Sequence, residues 1–203
     1  GDLLYIAAID CTGHGVPGAL LSFVGYFLLN NMVDHDRKMT ASEICDQLHY
    51  AVRKTLKQDK QDAEARDGMD IAFCQIDLGE KEVQFAGAHR SLYLLRKGEL
   101  IEFKGNRKAI GGIPHRKKAE VDFTNHSIRY KHGDKIFFFS DGLPDQLGGP
   151  EMKKYSPKRI RESILNNKDL SMEKYNAYFA EDFEEWRGNN KQIDDVLLIG
   201  IEF

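Results

Sequence analysis

The chain opens with a continuous apolar run, Leu3 to Ile9, that ends on Asp10. An unbroken run of this kind predicts a strand buried on both faces with a carboxylate at its exit. After the loop Cys11-Thr12-Gly13-His14-Gly15, a second apolar stretch, Ala19 to Val33, predicts a helix, and Pro17 suits its first turn, where a missing N–H costs little. This is the most apolar stretch of the chain, so it is expected to be a buried core helix. It is shorter than the roughly 20 residues a membrane span requires and is interrupted by Ser22, Gly25 and Asn30.

Thr40-Ala-Ser-Glu43 has the form of a capping box, and Ile44, Cys45, Leu48, Val52 and Leu56 keep a helical period after it. A second, amphipathic helix is therefore expected to about Lys57. The polar stretch from Gln58 to Gly68 reads as a loop. Beyond it, Met69 to Leu78, Val83 to Ala86 and Leu92 to Arg96 are β-prone segments separated by turn residues, the pattern of an antiparallel meander. Further strands are predicted over Leu100 to Phe103, Val121 to Tyr130, Lys135 to Ser140 and Val196 to Phe203. Ser156 to Trp186 returns to a helical period, with a break near Asn166-Asn167 and a cap at Ser171. The order strand, two helices, many strands, helices, strand is that of an α+β domain, two antiparallel sheets between helical layers, with residues 1–203 forming one domain.

Composition narrows the function. With 29 basic and 32 acidic residues the net charge is only -3, so no overall field recruits nucleic acid or an anionic membrane. The three cysteines, Cys11, Cys45 and Cys74, are far apart in largely apolar surroundings, which is neither a disulfide framework nor a zinc spacing. They predict reduced thiols in a cytoplasmic protein. No secretory signal pattern opens the chain. Phe137-Phe-Phe139 lacks interleaved basic residues and reads as core, and Arg116-Lys117-Lys118 reads as a solvated loop.

Three acidic positions each stand at the end of a strongly apolar strand: Asp10 after Tyr5-Ile-Ala-Ala-Ile9, Asp141 after Ile136-Phe-Phe-Phe-Ser140, and Asp194-Asp195 before Val196-Leu-Leu-Ile199. A lone aspartate after a strand is ordinarily a turn or cap residue. Carboxylates gathered in one place repel, and all-oxygen ligation selects hard cations such as Mg²⁺ or Mn²⁺. A two-ion centre of that kind suits phosphoryl transfer to water. Gly13, Gly15 and Gly142 would let backbone approach ions or ligand closely.

Asp10-Cys-Thr-Gly-His-Gly-Val-Pro-Gly-Ala19 resembles the aspartate plus GHGVPGA signature of the SpoIIE/RsbU-like phosphatases, a branch of the PPM-type metal-dependent serine/threonine phosphatases. Asp67-Gly-Met-Asp-Ile-Ala72, Ala86-Gly-Ala-His-Arg90, Ala109-Ile-Gly-Gly112, Phe139-Ser-Asp-Gly142 with Asp145-Gln146, and Gln192-Ile-Asp-Asp195 match the same family in order. The resemblance covers essentially the whole chain. It implies hydrolysis of phosphoserine or phosphothreonine on a regulatory protein, an anti-sigma factor antagonist, downstream of a sensor domain. It also implies two Mn²⁺ or Mg²⁺ ions, with Asp10 bridging, the Cys11 carbonyl as a ligand, and Asp141 and Asp194 as the later metal aspartates. Asp194 is preferred over Asp195 because the first acid of the pair aligns with the family's ligand. The family places a further ligand in a Ser-Gly-Asp motif upstream of the Asp10 strand, and that strand is absent here, so the domain is expected to be truncated at its N-terminus.

His89 and Arg90 are expected in a turn where they could approach a substrate phosphate, with a solvated turn as the plainer reading. His14 is read as organising its loop, with proton donation to the leaving oxygen as the alternative. Asp67 and Asp70 read as caps or outer-sphere groups. Two other functions compete: a non-catalytic module of the same fold that binds a regulatory partner, and a hydrolase of small phosphoesters.

Overall fold

The structure is a computed structural model that describes residues 3–13, 15–33, 39–60, 67–113 and 120–203. In chain order the elements are β1 (Leu3–Cys11), α1 (Gly15–Met32), α2 (Ala41–Thr55), β2 (Gly68–Asp77), β3 (Glu82–Ala88), β4 (Leu92–Arg96), β5 (Glu99–Phe103), β6 (Ile110–Gly111), β7 (His126–Arg129), β8 (Lys135–Phe139), α3 (Gly142–Asp145), β9 (Leu147–Gly148), β10 (Lys153–Lys154), α4 (Ser156–Asn166), α5 (Met172–Arg187) and β11 (Leu198–Glu202). Every strand pairing between these elements is antiparallel. This is the expected α+β class. The chain divides into two compact units, Gly1–Ser91 with Lys104–Tyr130, and Leu92–Phe103 with Lys131–Phe203.

In the first unit the sheet runs β1-β2-β3-β7, with β6 added alongside β2. β2 and β3 bury nearly every residue because each has a partner on both sides. β1 does not behave as expected: only Ala8 is buried, since the strand has β2 on one side and is an edge of the described sheet. Helix α2 begins at the capping box, with Thr40 Oγ1 accepting from Glu43 N and the Glu43 carboxylate accepting from Thr40 N. Burial follows one stripe of Ala41, Ile44, Cys45, Leu48, His49, Val52 and Arg53, whose apolar members pack in one core with Met69, Ile71, Phe73 and Ala86 of the sheet.

Helix α1 corrects the sequence reading more sharply. It buries only Gly18, Leu21 and Gly25, while Phe23 is 71% and Leu20 62% exposed, and Val16, Tyr26 and Phe27 are exposed with them. A helix apolar on every side carries no pattern that says which face turns inward, and it is therefore read as buried all round. Small residues select the face here: a β-carbon on Gly25 would stand 2.9 Å from Met69 Cε.

In the second unit the sheet runs β11-β8-β4-β5, beside the two-stranded β9-β10 pair. The predicted meander is thus divided, β2 with β3 in one sheet and β4 with β5 in the other. Phe137 packs with Tyr175, Phe179 and Phe183 of α5 and with Ile160 and Ile164 of α4, as a core residue. Ser171 caps α5 as expected, accepting from Lys174 N. Between α4 and α5, Asp182 is buried, binds Arg159 at 2.5 Å and accepts from the Tyr155 hydroxyl. The shared carboxylate ties the two helices. Among the described residues, no helix is long and apolar enough to cross a membrane.

Candidate active site

The register of β1 on β2 places Asp10 directly opposite Asp70. Like charges across a strand pair are unfavourable unless a cation lies between them. Arg90 supplies it, its Nη2 lying 3.1 Å from Asp10 Oδ2 and 3.0 Å from Asp70 Oδ2. The other oxygen of Asp70, Oδ1, faces His89 Nδ1 at 2.9 Å. A carboxylate only accepts, so Nδ1 carries the proton and the ring's second nitrogen, Nε2, is directed elsewhere. The first unit therefore holds a chain of four residues, Asp10, Arg90, Asp70 and His89.

The turn that carries His89 and Arg90 is held by backbone. His89 takes a left-handed conformation, φ 56°. Its N–H donates to the Asn106 carbonyl at 2.8 Å, and Asn106 N donates to the Gly87 carbonyl at 2.7 Å. The Arg90 carbonyl is packed between two glycines: a β-carbon on either Gly87 or Gly105 would stand 2.2 Å from it. No side chain fits at either position. The Arg90 side chain is 14% exposed and engages carboxylates, so it does not stand in solvent, whereas the His89 side chain beside it is 43% exposed.

The loop after Asp10 is tied to the start of β2. Thr12 N donates to the Gly68 carbonyl at 2.9 Å, and Gly68 N donates to Thr12 Oγ1 at 3.0 Å. Burial pushes the Cys11 thiol up from its ordinary range, so it stays protonated and the oxygen of its carbonyl is the donor it can offer a hard cation. His14 lies outside the described residues, as does the Arg116-Lys117-Lys118 cluster.

In the second unit the Asp141 and Asp194 segments are neighbours. Ser140 Oγ donates to the Asp195 carbonyl and accepts from Leu197 N, each at 3.0 Å. A β-carbon on Gly142 would stand 2.2 Å from the Asp195 carbonyl oxygen, so only glycine lets the two backbones touch. The Asp141 side chain does not cap α3. Asp195 N donates to Asp194 Oδ1 at 2.8 Å. Gln146, fully buried, sends Nε2 to the Lys191 carbonyl at 3.1 Å and accepts from Ile193 N at 3.3 Å, which fixes the approach to Asp194.

The oxygen donors Asp10, the Cys11 carbonyl, Asp141 and Asp194 are of the kind a hard divalent cation takes. Among the described residues, no group of three or more His, Cys, Asp or Glu side chains is placed to hold a metal ion. Sequence reasoning missed the part played by Asp70 and Gln146. The first was legible in principle, because pairing the Asp10 strand with Asp67-Gly-Met-Asp70 sets two acids face to face. A buried glutamine satisfying a loop has no periodic signature.

The α+β fold, antiparallel sheets with helices, matches that of the PP2C-type phosphatases. At 25% identity and a TM-score of 0.82, the SiaA-PP2C domain of Pseudomonas aeruginosa matches 100% of this chain and 81% of its own. The RsbU and RsbW domains of Rv1364c from Mycobacterium tuberculosis match at 18% identity and a TM-score of 0.74, over 100% of this chain and 52% of theirs. The serine/threonine phosphatase PstP/Ppp of M. tuberculosis matches at 17% identity and a TM-score of 0.59, over 97% of this chain and 86% of its own. No curated protein matches the chain. The family model for stage II sporulation protein E (SpoIIE) matches residues 1–203, and the chain belongs to that family.

Proposed function

We propose that residues 1–203 form one metal-dependent catalytic domain that hydrolyses phosphoserine or phosphothreonine on a regulatory protein, an anti-sigma factor antagonist. The reading rests on family membership across the whole chain, and the placement of Asp10 at the exit of β1 supports it. Asp10, the Cys11 carbonyl, Asp141 and Asp194 are the proposed ligands of two Mn²⁺ or Mg²⁺ ions. When bound, such ions lower the pKa of a water and neutralise phosphoryl charge. Arg90 and His89 are the proposed contacts to the substrate phosphate, and Arg90 holds Asp10 at 3.1 Å until a ligand competes for it. A sensor domain upstream and a cytoplasmic location complete the proposal.

A second reading, a non-catalytic module that binds a regulatory partner, is favoured by one observation: Arg90 itself offsets the charge of Asp10. The experiment that separates the two is Mn²⁺-dependent hydrolysis of a phosphoserine peptide by the full-length protein and by its Asp141→Ala variant. Hydrolysis that requires Mn²⁺ and is abolished in the variant supports the enzyme. Failure of the wild-type protein both to hydrolyse the peptide and to bind Mn²⁺ by titration calorimetry favours the binding module.

A further inference from the structure

We propose that His89 is the proton donor to the leaving serine or threonine oxygen, and that Asp70 is the residue that positions it; this rests on the phosphatase reading above. Three observations carry it. His89 Nδ1 is committed to Asp70 Oδ1 at 2.9 Å, and Asp70 Oδ2 is in turn fixed by Arg90 at 3.0 Å, so the ring is held by a carboxylate that is itself held. The His89 side chain is 43% exposed, and among the described residues no group hydrogen-bonds its Nε2. Finally, the left-handed backbone at His89 persists because Gly87 and Gly105 admit no side chain against the Arg90 carbonyl. A strained position kept in place by its surroundings, carrying a titratable ring oriented by a second group, is the arrangement a general acid needs.

The geometry also connects the ring to Asp10. Arg90 Nη2 touches Asp10 and Asp70 at once, so His89 is linked through Asp70 and Arg90, two residues, to Asp10, a proposed ion ligand. In the step, a hydroxide oxygen bonds to phosphorus and the bond from phosphorus to the ester oxygen breaks. The electron pair of that bond goes to the serine or threonine oxygen, which takes the proton from Nε2. The products are hydrogen phosphate and the free hydroxyl side chain. The neutral ring keeps Nδ1–H on Asp70, and a proton from water restores the acid and regenerates hydroxide, so the sum is ester plus water.

A general acid matters only when the leaving group is a poor one. The experiment compares a phosphoserine peptide, which leaves as an alkoxide, with p-nitrophenyl phosphate, which leaves as a stabilised phenolate, in the full-length Mn²⁺-loaded protein. His89→Asn removes the acid and keeps a residue type that accepts the left-handed backbone. The expected result is a loss of about 10²–10⁴-fold in kcat on the peptide with little change on the aryl ester. Asp70→Asn should show the same selectivity with a smaller loss. A readout independent of turnover is the ¹⁵N spectrum of the His89 ring at alkaline pH, which should show the proton on Nδ1.

An equal loss on both substrates with an unchanged melting transition overturns the proposal, as does a proton found on Nε2 alone. A selective loss in His14→Asn and not in His89→Asn also overturns it. Should His89→Asn fail to fold, His89→Gln provides the same comparison. Wild-type protein inactive on both esters would instead sink the phosphatase reading, which keeps the two failures distinct.

Discussion

Two histidines of the first unit are built into the same motif and put to different ends. His49 faces Glu120 at 3.2 Å, and Arg53 binds the same carboxylate through both terminal nitrogens, at 2.5 and 2.6 Å. His89 faces Asp70 at 2.9 Å, and Arg90 binds that carboxylate at 3.0 Å. The difference is burial and what the second ring nitrogen meets. His49 is 2% exposed, its Nδ1 accepts from Gly111 N at 3.0 Å and its Nε2 faces Glu120, so neither nitrogen is left for a ligand. His89 spends one nitrogen on its carboxylate and presents the other. A histidine, a carboxylate and an arginine make a clamp when both ring nitrogens are consumed and a candidate catalytic group when one is spared.

The clamp should therefore show itself in stability. Arg53 holds α2 to the loop around β6 through Nε on the Gly112 carbonyl at 2.7 Å, and its charge is almost fully buried. Removing Glu120 leaves that charge and the His49 ring unpaired. Glu120→Ala is expected to cost about 2 kcal/mol in urea unfolding, because it removes a charge-assisted partner of the buried Arg53 while Glu120 itself is a third exposed. A cost under about 1 kcal/mol would mean that water, not Glu120, satisfies Arg53. Asp70→Asn, where Arg90 retains Asp10, should cost much less.

Gly87→Ala tests the spared histidine from the backbone side. The added methyl would stand 2.2 Å from the Arg90 carbonyl oxygen and 2.9 Å from Phe85 Cζ, so the turn must move. Overpacking of this kind costs about 1–3 kcal/mol. The informative outcome is its split: peptide hydrolysis should fall further than hydrolysis of p-nitrophenyl phosphate, because the shift displaces His89. An equal fall would place the turn's importance in Asp10 and Arg90 alone.

How much of this could be read beforehand follows from what each residue's role depends on. The capping box at Thr40, the stripe from Ile44 to Val52 and the cap at Ser171 were legible because they are set by neighbours within a few residues. The acids at the ends of β1 and β8 were legible because an apolar run announces the strand that carries them. Which face of α1 turns inward was not, since its exposed Leu20 and Phe23 are as apolar as its buried Leu21. Nor were the two His, carboxylate and Arg groups, because His49 meets Glu120 across 71 residues and His89 meets Asp70 across 19. Local pattern finds elements, whereas these pairings are set by strand register and by the return of a distant loop.

The last test concerns how the clamp responds to acid. Burial depresses the His49 pKa below its ordinary value, with the Arg53 and Lys108 charges adding to the effect and Glu120 opposing it. In the unfolded chain the ring titrates near an ordinary value of about 6.5, so between that pH and the lower folded value the unfolded state binds more protons. Stability is then full above about pH 6.5 and falls as the pH drops, with a slope approaching 1.4 kcal/mol per pH unit for one proton. Glu120, held low chiefly by its hydrogen bond to Arg53, loses its contribution only at more acid pH, below the carboxylate range. The two losses are therefore separable. His49→Gln, which can still accept from Gly111 N, should remove the slope between pH 7 and 5 and leave the acid limb in place. A variant that keeps the slope would show that another group supplies it, and the reading of His49 as the buried, neutral member of the pair of histidines would fail.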